Sequence, residues 1–218
     1  MRGIVVACGE GSPGFEEVDD VESIRVLSRP GKTEIDPLLG EYDHLVVSGT
    51  DADLNAVVLR LLRKEALGRV SVGFVPAAAD SAVAQLWGLP SNPLRALALA
   101  LRGDVDPVPL IRDDVGGVLV GLGRLGMVRG VAYCDEQVAL RGPAHSIEVT
   151  PDPDGPGLAV RVVKGTLFKR PTTLFSRAFQ IGCIPTRPNC DGVAYERAMS
   201  RWTWYRHTED LRLVRGAA

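Results

Sequence analysis

A chain of 218 residues with 45% hydrophobic residues, a formal charge of −2 and a mean hydropathy of +0.08 has enough apolar material for one large domain or two small ones. No apolar run reaches the roughly 18 residues that cross a bilayer. The first residues, Met1 to Cys8, meet Gly9-Glu10-Gly11 too early for a secretory leader, so a cytoplasmic location is expected.

Cys8, Cys134, Cys183 and Cys190 form no C-x-x-C pair and stand near no histidine at metal-ligand spacing, which favours structural thiols over redox or metal roles. Charge is unevenly spread. Residues 1–150 hold 14 Lys+Arg against 21 Asp+Glu, a balance of −7, and residues 151–218 hold 11 against 6, a balance of +5. This split reads either as two solvated faces of opposite sign or as a basic half that meets an anionic surface or substrate.

In chain order, Gly3–Cys8 reads as a buried strand ending in the glycine-rich turn Gly9 to Gly14. The acidic segment Phe15 to Glu22 leads to a second strand over Ser23–Leu27, and a loop at Arg29–Lys32 precedes a third over Tyr42–Ser48. The third strand runs through Gly49-Thr50 straight into a helix, whose Leu54, Val57, Val58, Leu61 and Leu62 share one face. Thr50 with Asp53 three residues on makes a capping-box-like start, Arg63 and Lys64 suit the far end, and Gly68 is expected to close it.

Val70–Val75 is another buried strand, stopped by Pro76; Asp80 is then placed to cap a short helix ending before Gly88-Leu89-Pro90. Asn92 and Pro93 take the cap and first-turn positions of a further helix, with Leu94, Leu97, Ala98 and Leu101 on one face and Gly103 at its end. Strand and helix thus alternate to about residue 110, the pattern of a parallel sheet covered by helices. Beyond it, Gly117–Leu122, Ser146–Val149, Leu158–Val163 and Ala178–Gly182 are short and β-rich, with turns at Pro151–Gly157 and Ile184–Pro188. The expected division is an α/β domain over 1–112 and a mainly β domain over 113–218.

Two junctions carry a resemblance. Val46-Val47-Ser48-Gly49-Thr50-Asp51-Ala52-Asp53-Leu54-Asn55-Ala56-Val57 is similar to the V-V-x-G-G-D-G-T-L-N-E-V pattern of the diacylglycerol kinase family of lipid kinases, relatives of NAD kinase. The spacing of Gly73 to Pro90 matches a second pattern of that family, G-x-x-P-x-G-T-G-N-D-F-A-R-x-L-G-L-P, and the register holds without a gap from about Leu45 to Pro90. Past residue 110 the resemblance weakens to Cys190-Asp191-Gly192-Val193, a remnant of the family's D-G-E.

The resemblance implies a Rossmann-like, NAD kinase/diacylglycerol kinase-type N-terminal domain followed by a smaller, shortened, mainly β C-terminal domain. It further implies ATP-dependent phosphorylation of a lipid or small-molecule hydroxyl. Asp51 would be the catalytic residue and, with Asp53, would hold Mg²⁺. Gly49, Thr50, Asn55, Ala78 and Ala79 would line the ATP cradle.

The departures matter chemically. Family glycines let backbone N–H groups approach phosphate oxygens. Here Thr50, Ala52, Ala78 and Asp80 replace them, and Asp53 replaces a threonine. A carboxylate about 4 Å from a phosphate charge costs on the order of 4 kcal/mol at an effective dielectric near 20, roughly a thousandfold in affinity. Either a bridging Mg²⁺ offsets this, or Asp53 and Asp80 have become helix caps worth about 1 kcal/mol each.

Arg201 to Arg215 interleaves arginines with Trp202, Trp204 and Tyr205, a pattern that grips phosphates or, in the reading favoured here, packs its rings inward and snorkels its arginines. His207 has no visible nucleophile or metal partner in the sequence, so a structural role is favoured over a catalytic base. Two functions stand side by side: an active lipid-kinase-like phosphotransferase, and a catalytically inactive kinase-fold protein serving as a lipid-binding or protein-interaction module, with its basic half on an anionic membrane. No specific nucleic acid is expected as a partner, and self-association is left open.

Overall fold

The structure is a computed structural model, and it describes residues 2–10, 21–155, 157–165 and 170–216. The chain divides into two compact units, Met1–Val108 with Glu209–Ala218, and Pro109–Thr208. The compact units part between Val108 and Pro109, where the sequence reading divides the chain at 112/113, and the chain's last segment counts with the first unit. Most of the expected turn Gly9–Gly14 and of the acidic segment Phe15–Glu22 lies outside the described residues.

The first unit contains β1 (Gly3–Cys8), β2 (Ser23–Val26), α1 (Lys32–Ile35), α2 (Leu38–Glu41), β3 (His44–Gly49), α3 (Asp51–Arg63), β4 (Ser71–Pro76), α4 (Ala82–Trp87), α5 (Pro93–Arg102) and β5 (Asp104–Val105). Its sheet has the order β2-β1-β3-β4 with every pair parallel, as the alternation of strand and helix requires. Every residue of β3 and β4 is buried, which is why they read as continuous apolar runs. Val5, Val46 and Val75 pack with Ala96, Leu97 and Ala100 of α5.

The apolar face of α5 is therefore rotated from the expected one. Leu94 is 72% exposed and Ala98 is exposed, while Ala96 and Ala100 are buried. Close approach is the reason: a Cβ at Gly73 would lie 2.6 Å from the carbonyl oxygen of Ala100, so small residues on the helix meet a glycine on the strand.

The end of α3 also differs. Lys64 is the C-cap, Glu65 turns left-handed at φ 52, and Ala66 and Glu65 donate back to Leu61 and Leu62. That is a Schellman closure with glutamate where glycine is usual, three residues before Gly68. The two single-turn helices α1 and α2 escaped the sequence reading because four residues are too few to show a period.

The second unit holds β6 (Ile111–Asp113), β7 (Val118–Leu119), β8 (Gly123–Leu125), β9 (Val128–Cys134), β10 (Gln137–Ala144), β11 (Ser146–Pro151), β12 (Leu158–Lys164), β13 (Arg170–Ser176), β14 (Ala178–Thr186), β15 (Asn189–Cys190), β16 (Val193–Ala194) and β17 (Met199–Arg206). They form two six-stranded sheets, β10-β9-β14-β17-β6-β7 and β13-β12-β11-β8-β15-β16. Both bury side chains in one core, Phe179, Ile181, Trp202 and Trp204 from the first and Ile147, Val149, Val160 and Val162 from the second. Trp202 and Trp204 alternate inward from β17 while Arg201 stays exposed, so the aromatic run is packing. The expected turn at Ile184–Pro188 begins later, because β14 continues through Thr186 past a register shift between Gly182 and Thr186.

The last segment returns to the first unit. Leu213 bridges to Val72 and Leu211 to Val108, and β18 (Val214–Gly216) pairs antiparallel with β5. Among the described residues no helix is long and apolar enough to cross a membrane. Cys8, Cys134 and Cys190 are buried free thiols; burial, with the nearby Asp53 carboxylate second, pushes Cys8 up to about 12, as suits structural thiols.

Candidate functional site

The junction of β3 and α3 is organised by two aspartates that face different partners. Thr50 is the N-cap of α3, in extended conformation, and a full capping box forms with Asp53. Asp53 Oδ2 accepts from the Thr50 backbone N–H at 2.8 Å and from its hydroxyl at 2.7 Å, and Oδ1 accepts from the Arg29 N–H at 2.6 Å. Asp53 as a whole is 1% exposed. Gly49 is required beside it, since a Cβ there would meet Asp53 Oδ2 at 2.7 Å and the Cβ of Cys8 at 3.1 Å.

Asp51 reaches to the next helix. Its Oδ2 accepts from the N–H groups of Ala82 at 2.8 Å and Val83 at 3.3 Å, and its Oδ1 from the Ser81 hydroxyl. Ser81 Oγ in turn accepts from Ala84 N at 3.0 Å, so the cap of α4 is Ser81. Asp80, expected in that role, is exposed. The reason is local geometry: Ser81 holds the residue just outside the first helical turn, and the carboxylate from α3 takes the donors that Asp80 would have served.

The other predicted positions are spread around this pair. Ala78 and Ala79 lie exposed in the turn after β4, which is tied to β3 by Ala77 N–H donating to Gly49 O at 2.8 Å. Asn55 sits partly buried one turn into α3. The structure thus brings together Gly49, Thr50, Asp51, Asp53 and the start of α4. Among the described residues no group of three or more His, Cys, Asp or Glu side chains is arranged to hold a metal ion.

Asp191, read as a D-G-E remnant, is 2% exposed and accepts from the backbone N–H groups of Val120, Gly121 and Leu122 at 2.8 to 2.9 Å. It anchors the β7–β8 turn. Sequence reasoning missed this because the acceptor and its donors are some 70 positions apart.

The fold has known counterparts. The chain matches a diacylglycerol kinase from Bacillus anthracis str. Sterne with a TM-score of 0.78 and 13% identity, over 99% of this chain and 97% of the other. It matches an NAD kinase from Archaeoglobus fulgidus, in complex with ATP, with a TM-score of 0.65 and 12% identity, over 98% and 93%. The chain has the fold of these kinases. No family model and no curated protein matches the sequence. The kinase fold extends past residue 110, where the sequence resemblance fades, because the alignments run through nearly the whole of both chains.

Proposed function

We propose that the protein keeps the kinase fold but acts by binding, as a lipid-binding or protein-interaction module, with phosphoryl transfer lost. The observation that carries this reading is the Asp51 carboxylate seated on the first N–H groups of α4. Backbone N–H groups at a helix start are what a phosphate would use, and here a side chain of the same charge sign has taken them.

ATP and Mg²⁺ fit this junction poorly. Each of the four carboxylate oxygens of Asp51 and Asp53 already accepts a hydrogen bond from the chain. A phosphate at the start of α4 would have to displace the Asp51 carboxylate from the Ala82 and Val83 N–H groups, and Thr50 and Ala52 add β-carbons where the family keeps glycines.

The competing reading is ATP-dependent transfer to a lipid or small-molecule hydroxyl. It is favoured by the ATP carried by the Archaeoglobus NAD kinase of the same fold. A calorimetric and thermal-shift titration with Mg-ATP separates the two. The binding-module reading expects neither saturable heat nor a rise in Tm at millimolar nucleotide. Saturable stabilisation that Asp51→Ala weakens would overturn it.

A further inference from the structure

We infer that the second unit carries a binding site for an amphiphile with an anionic head group and one apolar chain. This inference rests on the binding-module reading and names the ligand class. The site is made of two adjoining clefts of about 510 and 490 Å³ that share Met127 and His145 as lining residues.

The first cleft holds the charge. Arg124 on β8 and Arg161 on β12 both lie directly opposite Glu148 on β11. Arg124 Nη2 is 3.0 Å from Glu148 Oε1, and Arg161 Nη1 is 3.0 Å from Oε2. One carboxylate thereby orients two guanidiniums and leaves a net positive charge. Each arginine side chain is about half exposed, at 54% and 49%. A guanidinium has five N–H donors, so most remain available for a phosphate or carboxylate. Ser146 lines the same cleft and adds a hydroxyl.

The second cleft is apolar, walled by Val128, Pro143, Ala144, Ile184 and Pro185. Ile184 is 64% exposed and Met127, between the clefts, 80% exposed. Large apolar side chains framing a depression present a surface for an acyl chain, and the flexible thioether of methionine adapts to its shape. Arg129 also lines this cleft, and among the described residues Glu148 is the sole acid lining either. Charge complementarity therefore selects an anion. From Glu148 to Ala144 the chain advances four residues, no more than about 13 Å, so a single molecule can place its head on the arginines and its tail across Met127.

Calorimetry with dodecyl phosphate below its micelle concentration tests the site, beside inorganic phosphate, uncharged dodecyl maltoside and phosphatidylglycerol vesicles. Dodecyl phosphate is expected to bind one-to-one. The Arg124→Gln/Arg161→Gln pair should weaken it about tenfold or more, and Ile184→Glu, at an exposed position, should do likewise while sparing the fold. The inference fails if dodecyl phosphate does not bind, if either variant binds unchanged, or if dodecyl maltoside binds as well. It fails equally if inorganic phosphate alone accounts for the affinity, or if vesicles bind while the monomer does not. Mg-ATP binding would overturn the module reading without touching this result, and absent amphiphile binding would overturn only this inference.

Discussion

The Ser81 hydroxyl donates to Oδ1 of Asp51, 30 positions earlier in the chain, and so ties the start of α4 to the first turn of α3. The same carboxylate serves Ala82 and Val83, so its removal strands two helix N–H groups together with a hydroxyl. Asp51→Ala should therefore cost about 2 kcal/mol of unfolding free energy in urea, and Ser81→Ala about 1 kcal/mol. Because the two share one network, their effects should be non-additive by at least about 0.5 kcal/mol. Additive losses would mean that Asp51 and Ser81 stabilise the start of α4 independently of each other.

Gly73 on β4 and Ala100 on α5 are in near contact. A methyl group at Gly73 would press on the Ala100 carbonyl oxygen at 2.6 Å and its Cα at 2.9 Å, backbone atoms that yield only if the helix moves. Gly73→Ala is expected to destabilise by about 1–3 kcal/mol, read as a lowered urea midpoint with unchanged slope. A neutral result would show that α5 slides freely on the sheet.

His44 is 3% exposed, with Nε2 2.8 Å from the Ala100 carbonyl oxygen and Nδ1 2.8 Å from Ser71 Oγ. A carbonyl only accepts, so the neutral ring with its proton on Nε2 satisfies both contacts. Burial lowers the ring's pKa below its ordinary 6.5, outweighing the Ala100 and Ser71 hydrogen bonds and the Asp43 charge, which raise it. A histidine with a depressed folded pKa makes the unfolded chain the better proton binder. Its contribution is therefore complete above about pH 6.5 and declines as pH falls from there toward the folded-state pKa. Chemical denaturation from pH 8 to 5 should show this loss below pH 6.5, and His44→Gln should flatten it. An identical slope in the variant would assign the effect to other groups.

Glu65 closes α3 in the left-handed region, at φ 52, and is exposed. The strain of a side chain there is about 1–2 kcal/mol, offset in a glycine variant by about 0.5–1 kcal/mol of backbone entropy. Glu65→Gly should accordingly raise stability by about 0.5–1 kcal/mol, measurable as a higher Tm. A lower Tm would mean that the glutamate side chain holds a compensating contact.

Much of the fold was legible because it is written in local chemistry. The buried runs at Gly3–Cys8 and Val70–Val75, the Thr50/Asp53 capping box and the Asn92-Pro93 helix start are specified by residues within a turn of one another, and each appears in the structure. The spacing from Leu45 to Pro90 likewise sufficed to point to the kinase fold. The rest depended on contacts between distant positions, which sequence spacing does not encode. The Asp51 carboxylate on α4, the glycine-to-alanine contact that rotates the face of α5, and the Arg124–Glu148–Arg161 row exist only once separate elements lie side by side. The junction shows the boundary most clearly. Its sequence marks a well-capped helix at a phosphate-binding position, and the tertiary structure decides that the donors at the neighbouring helix start are held by a carboxylate of the chain itself.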